Sequence, residues 1–410
     1  MYDKHAAPTV LAFLCASFTV KFLHVYPILS CDMNSEVLII GGGVIGLSIA
    51  RELRKKGVQR VAVVDRGPLG LEASWAAAGM LAPNIEAEAN PDFHRFGVEA
   101  LNAYPKFAAE IRDETEIDIE LDRTGTLCLA FSDSELASLD QAYERHQLRG
   151  VRIEKLSASQ VTELEPAVST AVTGGLLFHD DWQVENRKLV DALKRFAKLN
   201  DISVIENTSV ESLLTEGTRV VGATTEEGEL FAGVTVVATG AWTSFIRIGE
   251  APVVVSVKPI RGQMLCLDSG ERLLRHVVYG PRGYLVPRVD GRLLVGATVE
   301  DVGFDKSTTD AGIEELSQAA LEIIPRLATA VKRETWAGLR PFAPDGLPVI
   351  GELSGYEGAL VATAHYRNGI LLAPLTAKII AGKIVDGHDS IYFDSFGVER
   401  FTSAANATAK

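Results

Sequence analysis

The stretch HYRNGILLAP, residues 365–374, combines groups that can meet negative charge. A cation and an aromatic ring lead into an Asn-Gly step, and an apolar run follows at once as a helix. A helix N-terminus presents unpaired N–H groups and partial positive charge. His365, Tyr366, Arg367, Asn368, Gly369, Ile370 and Leu371 therefore form a cationic loop feeding a helix start, with Gly369 permitting close backbone approach. On this stretch alone, an ordinary loop with a surface arginine is the favoured reading. Arg340, in WAGLRPF, lies between Leu339 and Pro341 and after Trp336, outside any solvated charge run. A guanidinium fork grips a carboxylate through two parallel hydrogen bonds. Tyr284, in GYLVPR, brings a hydroxyl, or is a strand aromatic whose hydroxyl is satisfied locally.

Such groups need a scaffold and a guest, and residues 36–67, EVLIIGGGVIGLSIARELRKKGVQRVAVVDRG, supply both. Val37–Ile40 reads as an apolar strand. Gly41 to Gly46 fit G-x-G-x-x-G. Ile45, Ile49 and Leu53 recur every four residues, so a helix with one buried face follows, and Gly57 stands where a C-cap is expected. Val61–Val64 is the next strand and ends at Asp65. In this context Gly41 allows the turn, Gly43 lets a pyrophosphate approach, and Gly46 lets helix pack on strand. Asp65 can accept from ribose hydroxyls, which argues against a 2′-phosphate. The alternative is a glycine-rich turn with no ligand. EASWAAAGMLAP, residues 72–83, is either an Ala-rich helix broken at Gly79 and Pro83 or a loop of small residues admitting a large flat ligand. The second reading favours FAD over NAD.

With these motifs, the chain from about 36 to 385 resembles the D-amino-acid oxidase superfamily of FAD enzymes, and within it the glycine oxidases that feed thiazole synthesis for thiamine. The matching stretches include IIGGGVIGLSIA, SWAAAGM, VVATGAW, KPIRGQ, YLVPR, GRLLVGAT, WAGLRPFAPDGLPVIG and HYRNGILLAP. The resemblance implies that Val44, Ile45, Asp65 and Arg66 hold the ADP half of non-covalent FAD. It implies Ala73, Ser74, Ala78, Gly79 and Met80 along the pyrophosphate and flavin ring, and Val210 at the adenine. The amides of 369–371 would face the N1–C2 edge. Arg340, Arg367 and Tyr284 would hold the carboxylate of a small amino acid. The implied reaction is hydride transfer from glycine Cα, imine hydrolysis to glyoxylate and ammonia, and reduction of O2 to H2O2. No side chain is assigned as acid or base. Gly283 and Val299 depart from the family pattern at expected pocket positions, leaving glycine, sarcosine and small D-amino acids open. A sarcosine oxidase or a D-amino-acid dehydrogenase of the same fold is the alternative.

The expected fold class is α/β: a Rossmann-type FAD-binding domain (34–85, 155–255, 336–390) interleaved with an antiparallel-sheet substrate domain (86–154, 256–335). Residues 1–33 read as an extension and 391–410 as a tail. The short β runs GTLCLAF, GQMLCLD, GYLVPR and RLLVGAT suggest the second sheet. A net charge of −14 disfavours nucleic acid, because phosphate contact needs a basic face. The four cysteines form no C-x-x-C and the eight histidines no H-E-x-x-H, so no metal is expected; His179-Asp180-Asp181 reads as a surface turn. The expected partners are a small amino acid and O2, with a homo-oligomer left open. Ala6–Val20 carries no charge, which is long enough for a signal core and short for a span. A start near Met33 and a cytoplasmic enzyme is the favoured reading, with a signal or anchor left open.

Overall fold

The computed structural model describes residues 35–86, 90–253 and 257–401; the N-terminal stretch weighed above lies outside them. Strand Ser35–Ile40 shows how the first layer is built. Side chains alternate across a strand, so Val37 and Ile39 face one core while Leu38 and Ile40 face another. A strand apolar on both faces belongs in the middle of a covered parallel sheet. It pairs in parallel with Val61–Val64 on one side and with the C-terminal half of Gly228–Val237 on the other. Ser203–Ile205 and Ala359–Thr363 extend this parallel stack outward. Helices Val44–Lys55, Pro91–Thr115, Asn186–Leu199 and Gly369–Asp386 cover one face. The N-terminal half of Gly228–Val237 pairs antiparallel with Arg219–Thr225, a ribbon that covers the other face.

The second sheet has eight strands, in the order Val331–Phe342, Lys258–Asp268, Arg292–Gly296, Gly283–Pro287, Val277–Gly280, Thr126–Ala130, Gly174–Phe178 and Ile153–Ser157. Its pairs are antiparallel except Val277–Gly280 with Thr126–Ala130. Alternation again sorts the faces. Leu265, Leu285 and Val295 pack with helix Asp310–Ile323, while Met264, Tyr284, Val286 and Trp336 turn toward Ala76 and Ala78. That inner face looks onto the glycine-rich end of the first layer.

Three expectations about boundaries need correction. Strands Ile153–Ser157 and Gly174–Phe178 were expected mostly within the cofactor-binding domain, yet they extend the second sheet through Thr126–Ala130. Strand Val331–Phe342, expected to straddle the boundary at 336, lies wholly in that sheet, paired along Lys258–Asp268. Backbone pairing between strands far apart in the chain leaves no local mark, so the change of sheet is invisible in composition. The expected tail from 391 instead contains helix Ile391–Phe396. Tyr392 and Phe396 are buried against Phe96, with ring centroids 4.6 and 5.2 Å away.

The segment Tyr366–Asp386 is long and apolar enough to cross a membrane by composition. Here Ile370 to Ala377 are buried within the first core, between Val44–Lys55 and Pro91–Thr115. An apolar run through this first half of the helix is what a doubly covered core position requires, and the charged Lys378, Lys383 and Asp386 fall in its second half.

Candidate active site

The glycine turn after Ser35–Ile40 is locked from below. Asp65 accepts hydrogen bonds from the N–H of Gly42 at 2.7 Å and of Gly67 at 2.9 Å. Burial raises its carboxyl above the usual range, and those two N–H groups pull the other way. Asp65 therefore holds the turn as well as lining the cleft. A Cβ at Gly46 would run into the Gly41 carbonyl, so Gly46 acts through helix–strand contact and does not itself line the cleft. The Val44 N–H donates to Ser74 Oγ at 2.9 Å, which places the small-residue loop across the helix N-terminus.

A cleft of about 420 Å³ opens above this turn. Gly41, Gly43, Val44, Ile45, Asp65, Arg66 and Val210 line one end, and Ala73, Ser74, Thr239 and Gly240 the middle. His365, Tyr366, Arg367, Gly369 and Ile370 close the far end. Arg66 lies over the Trp242 ring at 3.7 Å and pairs with Glu72 at 2.9 Å, a cation–π arrangement that forms one lip. Burial pushes His365 down to about 3, so its ring is neutral, 3.1 Å from Thr376 Oγ1. The residues present suit FAD. The N-terminus of helix Val44–Lys55 meets Ser74, and Gly41 and Gly43 present bare backbone to the cleft, where a diphosphate would lie. The Gly369–Asp386 helix start meets the other end.

A smaller cavity of about 70 Å³ adjoins the cleft and shares Ala73, Ala77, Tyr366, Arg367 and Ile370 with it. Its remaining wall comes from both layers: Ala76, Ala78, Gly79 and Met80 from the loop, and Gly262, Met264, Tyr284, Gly338 and Arg340 from the second sheet. Arg340 sits opposite Ile260 in register, and its guanidinium lies over Gly262, where any Cβ would collide with it. It donates to the Thr298 carbonyl at 3.1 Å and the Arg261 carbonyl at 3.4 Å, and among the described residues it has no carboxylate partner. Tyr284 is buried. Burial raises its hydroxyl, and the cations Arg340 and Arg367 pull it down.

The loop between the cavities is anchored from behind. Trp336 Nε1 donates to the Ala76 carbonyl at 2.9 Å. Buried Arg288 donates to the Ala78 carbonyl and Asn186 Oδ1 through Nη2, and to Gln183 and the Val184 carbonyl through Nη1.

Ala78, Gly79 and Met80, expected along the pyrophosphate and ring, line the smaller cavity that adjoins the cleft. Asn368 stands buried at the N-cap position with no side-chain capping hydrogen bond, and Leu371 packs into the core; neither lines either cavity. Val299 is 60% exposed, and neither it nor Gly283 lines the pocket. Arg367 lines both cavities, yet its guanidinium is paired with Glu86 at 2.7 Å. Asp181, read as a surface turn, is fully buried. Glu86 and Tyr279 escaped sequence reasoning, because nothing in APNIEAEAN or HVVYG marks them apart from ordinary surface or strand residues.

A profile of the family described as FAD dependent oxidoreductase, DAO, matches residues 36–383. The chain is similar to a glycine oxidase of Pseudomonas aeruginosa, 34% identical over 363 residues, covering 88% of this chain and 97% of that protein. It is also similar to a bifunctional protein ThiO/ThiG of Trichormus variabilis, 34% identical over 389 residues, covering 92% of this chain and 56% of that protein. The crystal structure of glycine oxidase from Geobacillus kaustophilus superposes with a TM-score of 0.83 at 32% identity, covering 88% of this chain and 98% of that one. Two adjoining cavities on this scaffold, with similarity along nearly its whole described length, place the chain in the DAO family of FAD dependent oxidoreductases.

Proposed function

We propose that this enzyme oxidises glycine: glycine, O2 and water give glyoxylate, ammonia and H2O2. The observation that carries the reading is the smaller cavity, about 70 Å³ in volume, entered by a guanidinium with no carboxylate of its own. Its size suits a substrate with no side chain or a very short one. In this reading Arg340 takes the substrate carboxylate as a fork, and the Tyr284 hydroxyl, protonated because burial raises it, donates to the same group. Holding the carboxylate fixes where Cα stands relative to Ala73, Ala77 and Ile370, the wall shared with the larger cleft. FAD bound in that cleft supplies the hydride acceptor. The N–H groups of Gly369 and Ile370 place partial positive charge at its far end. The smaller cavity is lined by no Asp, Glu, His or Lys, so positioning supplies most of the rate. The second sheet excludes water from the reacting face.

The imine product class supports a supply role in thiazole synthesis, as does likeness to a relative named bifunctional protein ThiO/ThiG. A cytoplasmic enzyme that binds no nucleic acid is consistent with the net charge of −14. The deciding experiment is an aerobic peroxide assay on purified, yellow protein with glycine, sarcosine and D-alanine. Peroxide with glycine is expected. Turnover of sarcosine alone, or reduction by substrate with no use of oxygen, replaces this reading by a sarcosine oxidase or a dehydrogenase.

A further inference from the structure

Two cations line the smaller cavity, but they are not equivalent. Arg340 donates to two backbone carbonyls and meets the Tyr284 hydroxyl, and it has no carboxylate partner among the described residues. Arg367 is held by Glu86, whose side chain is 8% exposed. The same carboxylate oxygen accepts from the Tyr279 hydroxyl at 2.7 Å, and Tyr279 also contacts Met80 Sδ at 3.2 Å. Glu86 stands on the Pro83–Glu86 turn, behind the wall rather than in it. An entering substrate therefore meets one uncompensated positive charge and, beyond Arg367, a carboxylate already engaged by two donors. A second acidic group on the substrate would approach Glu86 and compete with it for Arg367. Like charges brought together in a poorly solvated place are strongly disfavoured.

We propose that Glu86, acting through Arg367, sets the charge specificity of the pocket: it restricts the site to amino acids with a single carboxylate and rejects those with a second anionic group. This rests on the amino-acid oxidase reading above. Glu86 does not touch the substrate in this scheme; it acts by occupying Arg367.

The test compares propionate with malonate, which share a three-carbon skeleton and differ by one carboxylate. The FAD-loaded wild type, Glu86→Gln, Arg367→Gln and the double variant are titrated at fixed ionic strength, with flavin absorbance and calorimetry as readouts. The wild type is expected to prefer propionate. Glu86→Gln shifts the ratio of dissociation constants toward malonate by about tenfold or more, and the double variant loses that gain. Arg367→Gln alone leaves the Glu86 charge unopposed and weakens malonate further relative to propionate. An unchanged ratio in Glu86→Gln, or a gain that survives in the double variant, overturns the proposal. So does an unchanged ratio in Arg367→Gln, which decides the matter if Glu86→Gln does not fold. A wild type that binds propionate but yields no peroxide from glycine overturns the glycine reading alone; one that binds neither acid overturns both.

Discussion

Arg340 has most leverage where it stands because no carboxylate quenches it among the described residues: it donates to the carbonyls of Arg261, on strand Lys258–Asp268, and of Thr298 beyond strand Arg292–Gly296, and it meets the Tyr284 hydroxyl. Hydrogen bonds to a charged group contribute about 1.5–3 kcal/mol each. Losing a two-pronged clamp therefore removes several kcal/mol of binding, with each 1.4 kcal/mol about a factor of ten. Arg340→Leu is expected to raise the glycine KM by about 100-fold or more. FAD content, read from visible absorbance, stays at the wild-type level, because Arg340 lines only the smaller cavity. An unaltered KM removes Arg340 from the site. His365 behaves differently: burial holds it neutral well below physiological pH, so it offers the larger cleft a neutral ring and no positive charge.

Helix Gly369–Asp386 illustrates how an element is tuned by one distant side chain. Pro374 lies inside it and has no N–H, so the carbonyl four residues earlier, at Ile370, loses its normal partner. Tyr104, buried on helix Pro91–Thr115, donates its hydroxyl to that carbonyl. A buried acceptor left alone costs about 1–3 kcal/mol. Tyr104→Phe is thus expected to lower stability by about that amount in a denaturant titration, and to loosen the helix start that closes the cofactor cleft. No change in midpoint would mean that the Ile370 carbonyl finds another donor. The other helix start fails differently. Gly46→Ala sets a methyl against the Gly41 carbonyl and forces Val44–Lys55 away from strand Ser35–Ile40. The expected result is folded protein with FAD occupancy cut severely, measured by absorbance ratio after desalting; full occupancy would show that the turn can yield.

At the scale of the whole molecule, Asp181 ties the second sheet to the turn that carries Glu86. Its Oδ1 accepts from the Asn84 side chain at 2.7 Å and from the Asn84 N–H at 3.2 Å, and its Oδ2 accepts from the Ile85 N–H at 3.2 Å. Complete burial outweighs these donors and pushes the carboxyl from 3.8 up to about 8. A folded-state value above the unfolded one means that the folded chain keeps a proton which the unfolded chain releases. The associated stability is fully present below about 4 and is lost as pH rises toward about 8. Asp181→Asn cannot ionise and should flatten that part of the decline, seen as a smaller change of urea midpoint between the two ends of the window. Equal slopes in both proteins would show that Asp181 does not titrate there.

Much of this protein was legible in its chain. Strand, glycine turn and helix at 36–67 follow from period and backbone sterics, which act within a few residues. The helix start at 369 follows from the same local rules. The covered parallel strands, the cofactor class and the candidacy of Arg340 came from these signals together with the motif resemblance. Other assignments depended on contacts between residues far apart in sequence. Strands Ile153–Ser157 and Gly174–Phe178 take their sheet from a backbone partner at Thr126–Ala130. Asp181 is buried because the Pro83–Glu86 turn folds over it. Arg367 is neutralised by Glu86, 281 residues away along the chain. Periodicity and composition report a residue's own environment. Which charge stands opposite which is settled only when distant segments pack, so the chain determined what chemistry is present and the tertiary structure decided which of its cations is free to do it.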